Sequence, residues 1–68
     1  MPKAGKVLKA ILKGGWDETS CRGSHHKLRK GSQTRIFSYH DKEELGQTQL
    51  SMVAKEFGMT LEELKQLL

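Results

Sequence analysis

The chain of 68 residues contains one cysteine and one proline, and it has no long uninterrupted hydrophobic segment. A single cysteine cannot form an intrachain disulfide, so we expect a reducing compartment. The lack of any run of about 18 apolar residues excludes a membrane-spanning helix. The N-terminus also lacks the apolar segment of a secretory signal. Together these absences predict a cytoplasmic protein.

Size and charge narrow the class of protein further. A chain of 68 residues predicts a single small domain over residues 1–68, with a modest core and marginal stability. Lys and Arg total 12 and Asp and Glu total 8, which gives a formal net charge of +4. A basic domain of this size suits a polyanionic partner such as nucleic acid, although the charge alone does not identify one.

The two ends of the chain follow a helical period. Apolar residues at helical spacing predict a first helix over residues 4–13, which Gly14 and Gly15 end. The same spacing recurs between Leu50 and Phe57, before Gly58. Thr60 and Glu63 have the spacing of a capping box, so a short last helix should begin at Leu61.

The middle of the chain predicts three short strands, over Trp16–Cys21, Ser24–Lys30 and Thr34–Tyr39. The segment "KGSQ" (Lys30–Gln33) supplies the turn of a hairpin. Because the connections are too short for parallel crossovers, the strands should form an antiparallel sheet. The predicted fold is α+β, in the order α-β-β-β-α-α, with the helices packed on one face of the sheet.

The second strand contains two adjacent histidines within "CRGSHHKLRK". Leu28 is its only large apolar residue and should anchor it in the core, and alternate residues of a strand point to opposite faces. A bulge near Gly23 would exchange the two faces. Without one, the inner face carries His26, Leu28 and Lys30, and the outer face carries His25, Lys27 and Arg29.

An exposed histidine beside two cations suggests chemistry on a phosphodiester. Histidine exchanges protons near neutral pH, and adjacent positive charge favours its neutral, proton-accepting form. Lys27 and Arg29 could hold a phosphate and stabilise the charge that develops on it, while His25 acts on the 2′-hydroxyl of RNA. The simpler interpretation is a solvated surface histidine without a catalytic role.

Metal binding and thiol chemistry are competing interpretations. Cys21, His25, His26 and His40 lie within twenty residues of one another, but adjacent histidines on a strand point apart. The spacings typical of structural zinc sites and the carboxylate clusters that hold Mg²⁺ are both missing, so we expect no metal and no cofactor. A nucleophilic Cys21 beside His25 is disfavoured, because Gly23 interrupts the strand between them.

The aromatic residues leave one alternative open. Trp16 should cover the core, since it directly follows the end of the first helix. Phe37 and Tyr39 share one face of the third strand, and Ile36 takes the other. If Ile36 is in the core, the two aromatic rings form an exposed platform beside His25; if Phe37 is in the core, that platform does not exist. His40 is expected to have a capping or solvated role at the edge of the site.

The chain contains, in order, "GGW" after the first helix, "RGSHHKLR" on the second strand, His40 after the third, and "ELGQTQLSMVAKEFGMTLEEL". This ordered set of motifs resembles the HicA toxin family of HicA–HicB toxin–antitoxin systems. The resemblance implies a fold like the double-stranded-RNA-binding domain, ribonuclease activity on mRNA with His25 essential, and a HicB-type antitoxin that masks this histidine. Two segments depart from the family pattern, "FSYH" without a proline and "GQTQL" in place of Gly-Thr-Leu.

The sequence therefore predicts a toxin that is a metal-independent endoribonuclease, with His25 as general acid or base. The predicted partners are mRNA and a HicB-type antitoxin, with neither a membrane nor direct DNA binding by the toxin alone. A non-catalytic RNA-binding module of the same fold is the alternative, and a protein-interaction adaptor is a third hypothesis. The predicted RNA contacts are Arg22, Ser24, His26, Lys27, Arg29 and Lys30.

Overall fold

The computed structural model describes residues 1–68 and confirms the predicted order α-β-β-β-α-α. None of its three helices combines the length and the apolar character that crossing a bilayer requires. The helices are α1 (Ala4–Lys13), α2 (Gln47–Glu56) and α3 (Leu61–Leu67), and the strands are β1 (Asp17–Arg22), β2 (His25–Lys30) and β3 (Gln33–Phe37).

The helix ends follow the local chemistry of the chain. The first helix has the predicted bounds, and its cap at Gly14 donates a backbone hydrogen bond to the carbonyl of Ala10 at 3.0 Å. Helix α3 begins at the predicted residue: the Thr60 hydroxyl accepts from the backbone N–H of Glu63, and the Glu63 carboxylate accepts from the backbone N–H of Thr60. This reciprocal pair satisfies two donors that a helix start otherwise leaves unbonded.

The sheet is an antiparallel meander with β2 in the centre. Two-residue turns join the strands, and Gly23 and Gly31 each adopt a φ of +61° that other residues rarely take. The turn at Gly31 pairs Lys30 with Gln33, and this register continues to His26 opposite Phe37. Paired residues share a face, so Phe37 must lie on the same side as Leu28.

The register of β2 with β3 determines whether Ile36 or Phe37 lies in the core. Phe37 is 2% exposed and lies in the core, whereas Ile36 is 50% exposed on the outer face. Tyr39 lies beyond the end of β3 and packs against the core, and the centroids of the Tyr39 and Phe37 rings are 5.4 Å apart. The exposed aromatic platform considered for Phe37 and Tyr39 is therefore wrong, because both rings turn towards the helices.

The core lies between the inner face of the sheet and the helices, so the outer face has no helix against it. Trp16 is buried as predicted: its ring meets that of Phe57 edge to face at 5.0 Å, and its indole N–H donates to the Phe57 carbonyl at 3.2 Å. Leu28 from β2 is completely buried in the same cluster. The packing of one sheet face leaves the other available to a ligand.

Candidate functional site

His25 is the first residue of β2 and is exposed on the outer face of the sheet. The two-residue turn of Gly23 and Ser24 places Arg22, the last residue of β1, directly opposite it. Because paired residues in an antiparallel sheet lie side by side, the imidazole and the guanidinium emerge from the same side of the hairpin end. The turn therefore adds a cation beside His25 that strand alternation within β2 does not reveal.

Two more cations continue along the outer face from His25. Lys27 and Arg29 are both exposed, at the alternate positions of β2, as the sequence predicts. Lys27 lies between Ser20 of β1 and Ile36 of β3, and the Arg29 Nε donates to the Gly31 carbonyl at 2.9 Å. The result is a row of positive charge that starts at the histidine. We call the residues Arg22, His25, Lys27 and Arg29 the outer-face cluster.

An open cleft lies next to the same hairpin end. It is formed by the Gly23–Ser24 turn and the segment His40–Lys42. Ser24 is half-buried at this position, and His40 is exposed on the rim. The His40 carbonyl accepts a hydrogen bond from the backbone N–H of Glu43 at 2.9 Å, so its backbone stabilises the loop before α2. None of the five residues that line the cleft is hydrophobic, and the cleft is open to solvent.

His26 has a different environment from its neighbour. It is 8% exposed on the inner face, and its Nδ1 is 3.1 Å from Oε2 of Glu18. Its Nε2 is 3.9 Å from Oδ1 of Asp41, and its ring lies 6.2 Å from that of Phe37. The predicted inward orientation is thus present. His26 therefore lies on the opposite side of the sheet from the outer-face cluster, and its predicted contact with RNA stays a prediction.

Lys30 also points away from the outer face. Its Nζ donates to the carbonyl of Gly14 at the end of α1, at 3.1 Å. A cation here complements the negative end of the helix dipole. This contact gives Lys30 a structural role that sequence reasoning missed, because it joins residues sixteen positions apart.

A second group of reactive side chains lies at the inner edge of the sheet. Glu18, Cys21 and His26 each place one potential ligand atom within 4.8 Å of the others. Sequence reasoning considered Cys21 with the histidines but missed Glu18, because a β-bulge between Glu18 and Ser20 brings it to this side. His25 and His40 are not part of this group.

The environment of Cys21 disfavours the hypothesis that its thiol is a nucleophile activated by His25. Reduced hydration, together with the negative charge of Glu18, raises the pKa of Cys21 above its ordinary value. A raised pKa keeps the thiol protonated, and the thiolate is the nucleophilic form. The register also pairs Cys21 with His26 rather than with His25. Both observations disfavour Cys21 as a nucleophile that His25 activates.

The fold and the outer-face cluster together define a small α+β protein whose open sheet face is basic and exposed. A family model described as the HicA toxin of bacterial toxin–antitoxin systems matches residues 4–59. The chain belongs to the HicA toxin family, and this membership implies an antitoxin partner. No curated protein and no solved structure matches the chain significantly.

Proposed function

We propose that this chain is the toxin of a type II toxin–antitoxin pair and that it cleaves mRNA without a metal ion. One observation carries the proposal: His25 is exposed on the outer face, with Arg22 directly opposite and Lys27 next on the same side of β2. Toxins of this family are ribonucleases, which supports the same reaction for this chain. Residues 1–68 would form the single toxin domain.

His25 would act on the ribose of the cleaved nucleotide. As a general base it accepts the proton of the 2′-hydroxyl, and the 2′-oxygen then forms a bond to the adjacent phosphorus. The bond from phosphorus to the 5′-oxygen breaks, and that oxygen takes a proton from a general acid or from water. The reaction leaves a cyclic phosphate on one fragment and a 5′-hydroxyl on the other. DNA lacks the 2′-hydroxyl and is not a substrate.

The cations of the outer-face cluster would position the scissile phosphate and stabilise its transition state. Arg22 lies opposite His25, so its guanidinium is best placed to contact the phosphate at which the histidine acts. Lys27 and Arg29 would contact neighbouring phosphates along the strand, and Ser24 offers a hydroxyl at the turn. Preorganised positive charge of this kind lowers the energy of a transition state that gains negative charge.

The residues of the outer face support a mechanism that needs no divalent cation. Asp17 is the one carboxylate on this face of the three strands, and it pairs with Arg29 across β1 and β2. Catalytic Mg²⁺ is held by carboxylates together with substrate phosphates, and a single acid already next to an arginine offers a poor site. The proposed chemistry therefore depends on the imidazole and the cations.

The proposed antitoxin is a HicB-type protein that covers the outer face and masks His25. Ile36 supports this proposal, because it is an exposed apolar side chain directly opposite Lys27. A partner that buries Ile36 would also close access to the neighbouring cations. We propose a cytoplasmic location for the pair, where the mRNA substrate is present.

A cleavage assay with matched substrates tests this function. The wild-type chain is incubated with a labelled RNA, with the same RNA carrying 2′-deoxyribose throughout, and with EDTA added. We expect products from RNA, with and without EDTA, and none from the deoxy substrate. Salt-sensitive RNA binding without products would instead support the non-catalytic RNA-binding module, which the same basic face favours. Products that disappear with EDTA, while circular dichroism shows that the chain is still folded, would contradict the metal-independent mechanism.

A further inference from the structure

We propose that Glu18, Cys21 and His26 form a binding site for a thiophilic divalent cation, for which Zn²⁺ is the best match. The three side chains supply a carboxylate, a thiol and an imidazole, with one atom of each within 4.8 Å of the others. This combination suits Zn²⁺, which binds imidazole, carboxylate and thiolate ligands, and binding of the ion would release the proton of the Cys21 thiol to water. It suits Mg²⁺ and Ca²⁺ poorly because they prefer oxygen alone. The inference does not depend on the proposed ribonuclease function.

The backbone of β1 brings the three ligands to one side of the sheet. Cys21 pairs directly with His26, so their side chains share the inner face. Glu18 is three residues before Cys21, and in a regular strand this odd spacing would place the two on opposite faces. The bulge between Glu18 and Ser20 adds one residue and returns Glu18 to the inner face, opposite Leu28. The bulge thus brings Glu18 to the same side of the sheet as Cys21 and His26.

One of the three distances between ligand atoms is close to that of a tetrahedral site, and the other two are below 4.8 Å. Ligand atoms about 2.1 Å from zinc at tetrahedral angles are about 3.4 Å apart, and a sulfur ligand lies about 3.6 Å from a nitrogen ligand. The Nδ1 of His26 and Oε2 of Glu18 are already 3.1 Å apart. The Cys21 thiol is exposed and donates only a weak hydrogen bond, to the Gly23 carbonyl at 3.5 Å. A side-chain rotation can therefore bring the sulfur nearer to the other two atoms.

His26 is the most fixed member of the cluster. It is buried between Glu18 on one side and Asp41 on the other, and the Asp41 carboxylate is 3.9 Å from its Nε2. When one imidazole nitrogen binds zinc, the other usually donates to a carboxylate, which orients the ring. Asp41 lies where it could accept that hydrogen bond while Nδ1 binds the metal. Water would complete the coordination of the ion.

A metal ion bound at this site would hold the first two strands together. Its ligands come from β1 and β2, and β1 is an edge strand whose six residues are all exposed. A domain of this size gains stability from a metal because its core is small. The ion would lie on the inner side of the sheet, away from His25 on the outer face. Its role is therefore structural, and the cleavage chemistry remains independent of it.

The alternative is that His26 and Glu18 form only an ion pair and that Cys21 is not a metal ligand. Titration of the tag-free full chain with Co²⁺, a spectroscopic substitute for Zn²⁺, distinguishes the two. Absorption from charge transfer between thiolate and cobalt appears only if Cys21 is a ligand. Calorimetry with Zn²⁺ then gives the affinity and the stoichiometry, and the melting temperature gives the effect on stability.

Separate variants test the metal site and the proposed ribonuclease. Cys21→Ser and Glu18→Gln change exposed or partly exposed side chains, and each should weaken Zn²⁺ binding by about tenfold or more. Cys21→Ser should also abolish the charge-transfer band. His25→Ala and His40→Gln remove histidines outside the cluster and should leave Zn²⁺ binding unchanged. Circular dichroism checks that every variant is folded.

We expect one Zn²⁺ per chain and a melting temperature that rises when the metal is added. An absent charge-transfer band, or equal Zn²⁺ affinity in wild type and Cys21→Ser, would overturn the metal site and leave the proposed ribonuclease untouched. Conversely, a His25→Ala variant that binds Zn²⁺ and still cleaves RNA would overturn the catalytic proposal alone.

Discussion

His25 and His26 are consecutive residues of β2, yet one is exposed on the outer face of the sheet and the other is 8% exposed on its inner face. Strand alternation separates the pair and gives each imidazole different neighbours. His25 lies beside Arg22, and His26 lies beside Glu18. One histidine is therefore in a positive environment open to a ligand, and the other is held by carboxylates inside the fold.

Neighbouring residues of β3 should differ sharply in their contribution to stability. Phe37→Ala removes a buried ring that contacts Phe57 and should lower the free energy of unfolding by about 3–5 kcal/mol. Ile36→Ala truncates a half-exposed side chain and should cost less than about 1 kcal/mol. Urea denaturation of both variants measures the difference. A larger loss for Ile36→Ala would contradict the register of the β2–β3 hairpin.

Removal of a cation from the outer face should weaken RNA binding in a salt-dependent manner. Lys27→Gln deletes a charge on that face, and each phosphate contact to a single strand contributes about 0.7 to the salt slope. We expect a slope smaller by that amount when binding of a 2′-O-methyl RNA is titrated at several salt concentrations. The matched control is Lys65→Gln on α3, which should keep the wild-type slope. Equal slopes for both variants would place the RNA elsewhere.

The start of α3 should contribute a pH-dependent stability. The hydrogen bond that the Glu63 carboxylate accepts from the Thr60 backbone N–H lowers the pKa of Glu63. A carboxyl group with a lowered folded-state pKa stabilises the fold fully above its unfolded pKa, which is about 4.3. That contribution is lost as the pH falls through the folded value. Wild type should therefore exceed Glu63→Gln in melting temperature at pH 7, and the gap should narrow below about pH 4.

The comparison with Glu63→Gln has an internal control. Glu62→Gln changes the adjacent acid in the same first turn, which takes no part in the capping box. Its melting temperature should follow that of wild type more closely across the acid range. An acid-dependent gap of the same size in both variants would assign the effect to the helix dipole and not to the Thr60 cap.

Much of the fold could be predicted, because local chemistry determines it. The bounds of α1 and the start of α3 agree with the predictions, since an apolar stripe and a capping box are visible in the sequence. The inner position of Leu28 and the outer position of His25 also agree, because β2 has no bulge. The bounds of the outer strands were less accurate: β3 ends at Phe37, two residues before the predicted end.

The remaining features depend on contacts that are distant in sequence or on irregular backbone. The choice between Ile36 and Phe37 follows from the pairing of Lys30 with Gln33, which requires a loop of known length. The bulge after Glu18 leaves no clear pattern in the sequence, so the cluster with Cys21 could not be foreseen. In the outer-face cluster, the position of Arg22 opposite His25 follows from the two-residue turn at Gly23.

His25 is the residue proposed to perform the chemistry of RNA cleavage. The most direct measurement is the single-turnover cleavage rate of His25→Ala on a labelled RNA, beside wild type and a His40→Gln control. We predict a loss of at least about 100-fold for His25→Ala, with RNA affinity and melting temperature near those of wild type, and little change for His40→Gln. A folded His25→Ala variant that cleaves RNA at the wild-type rate would contradict a catalytic role for His25.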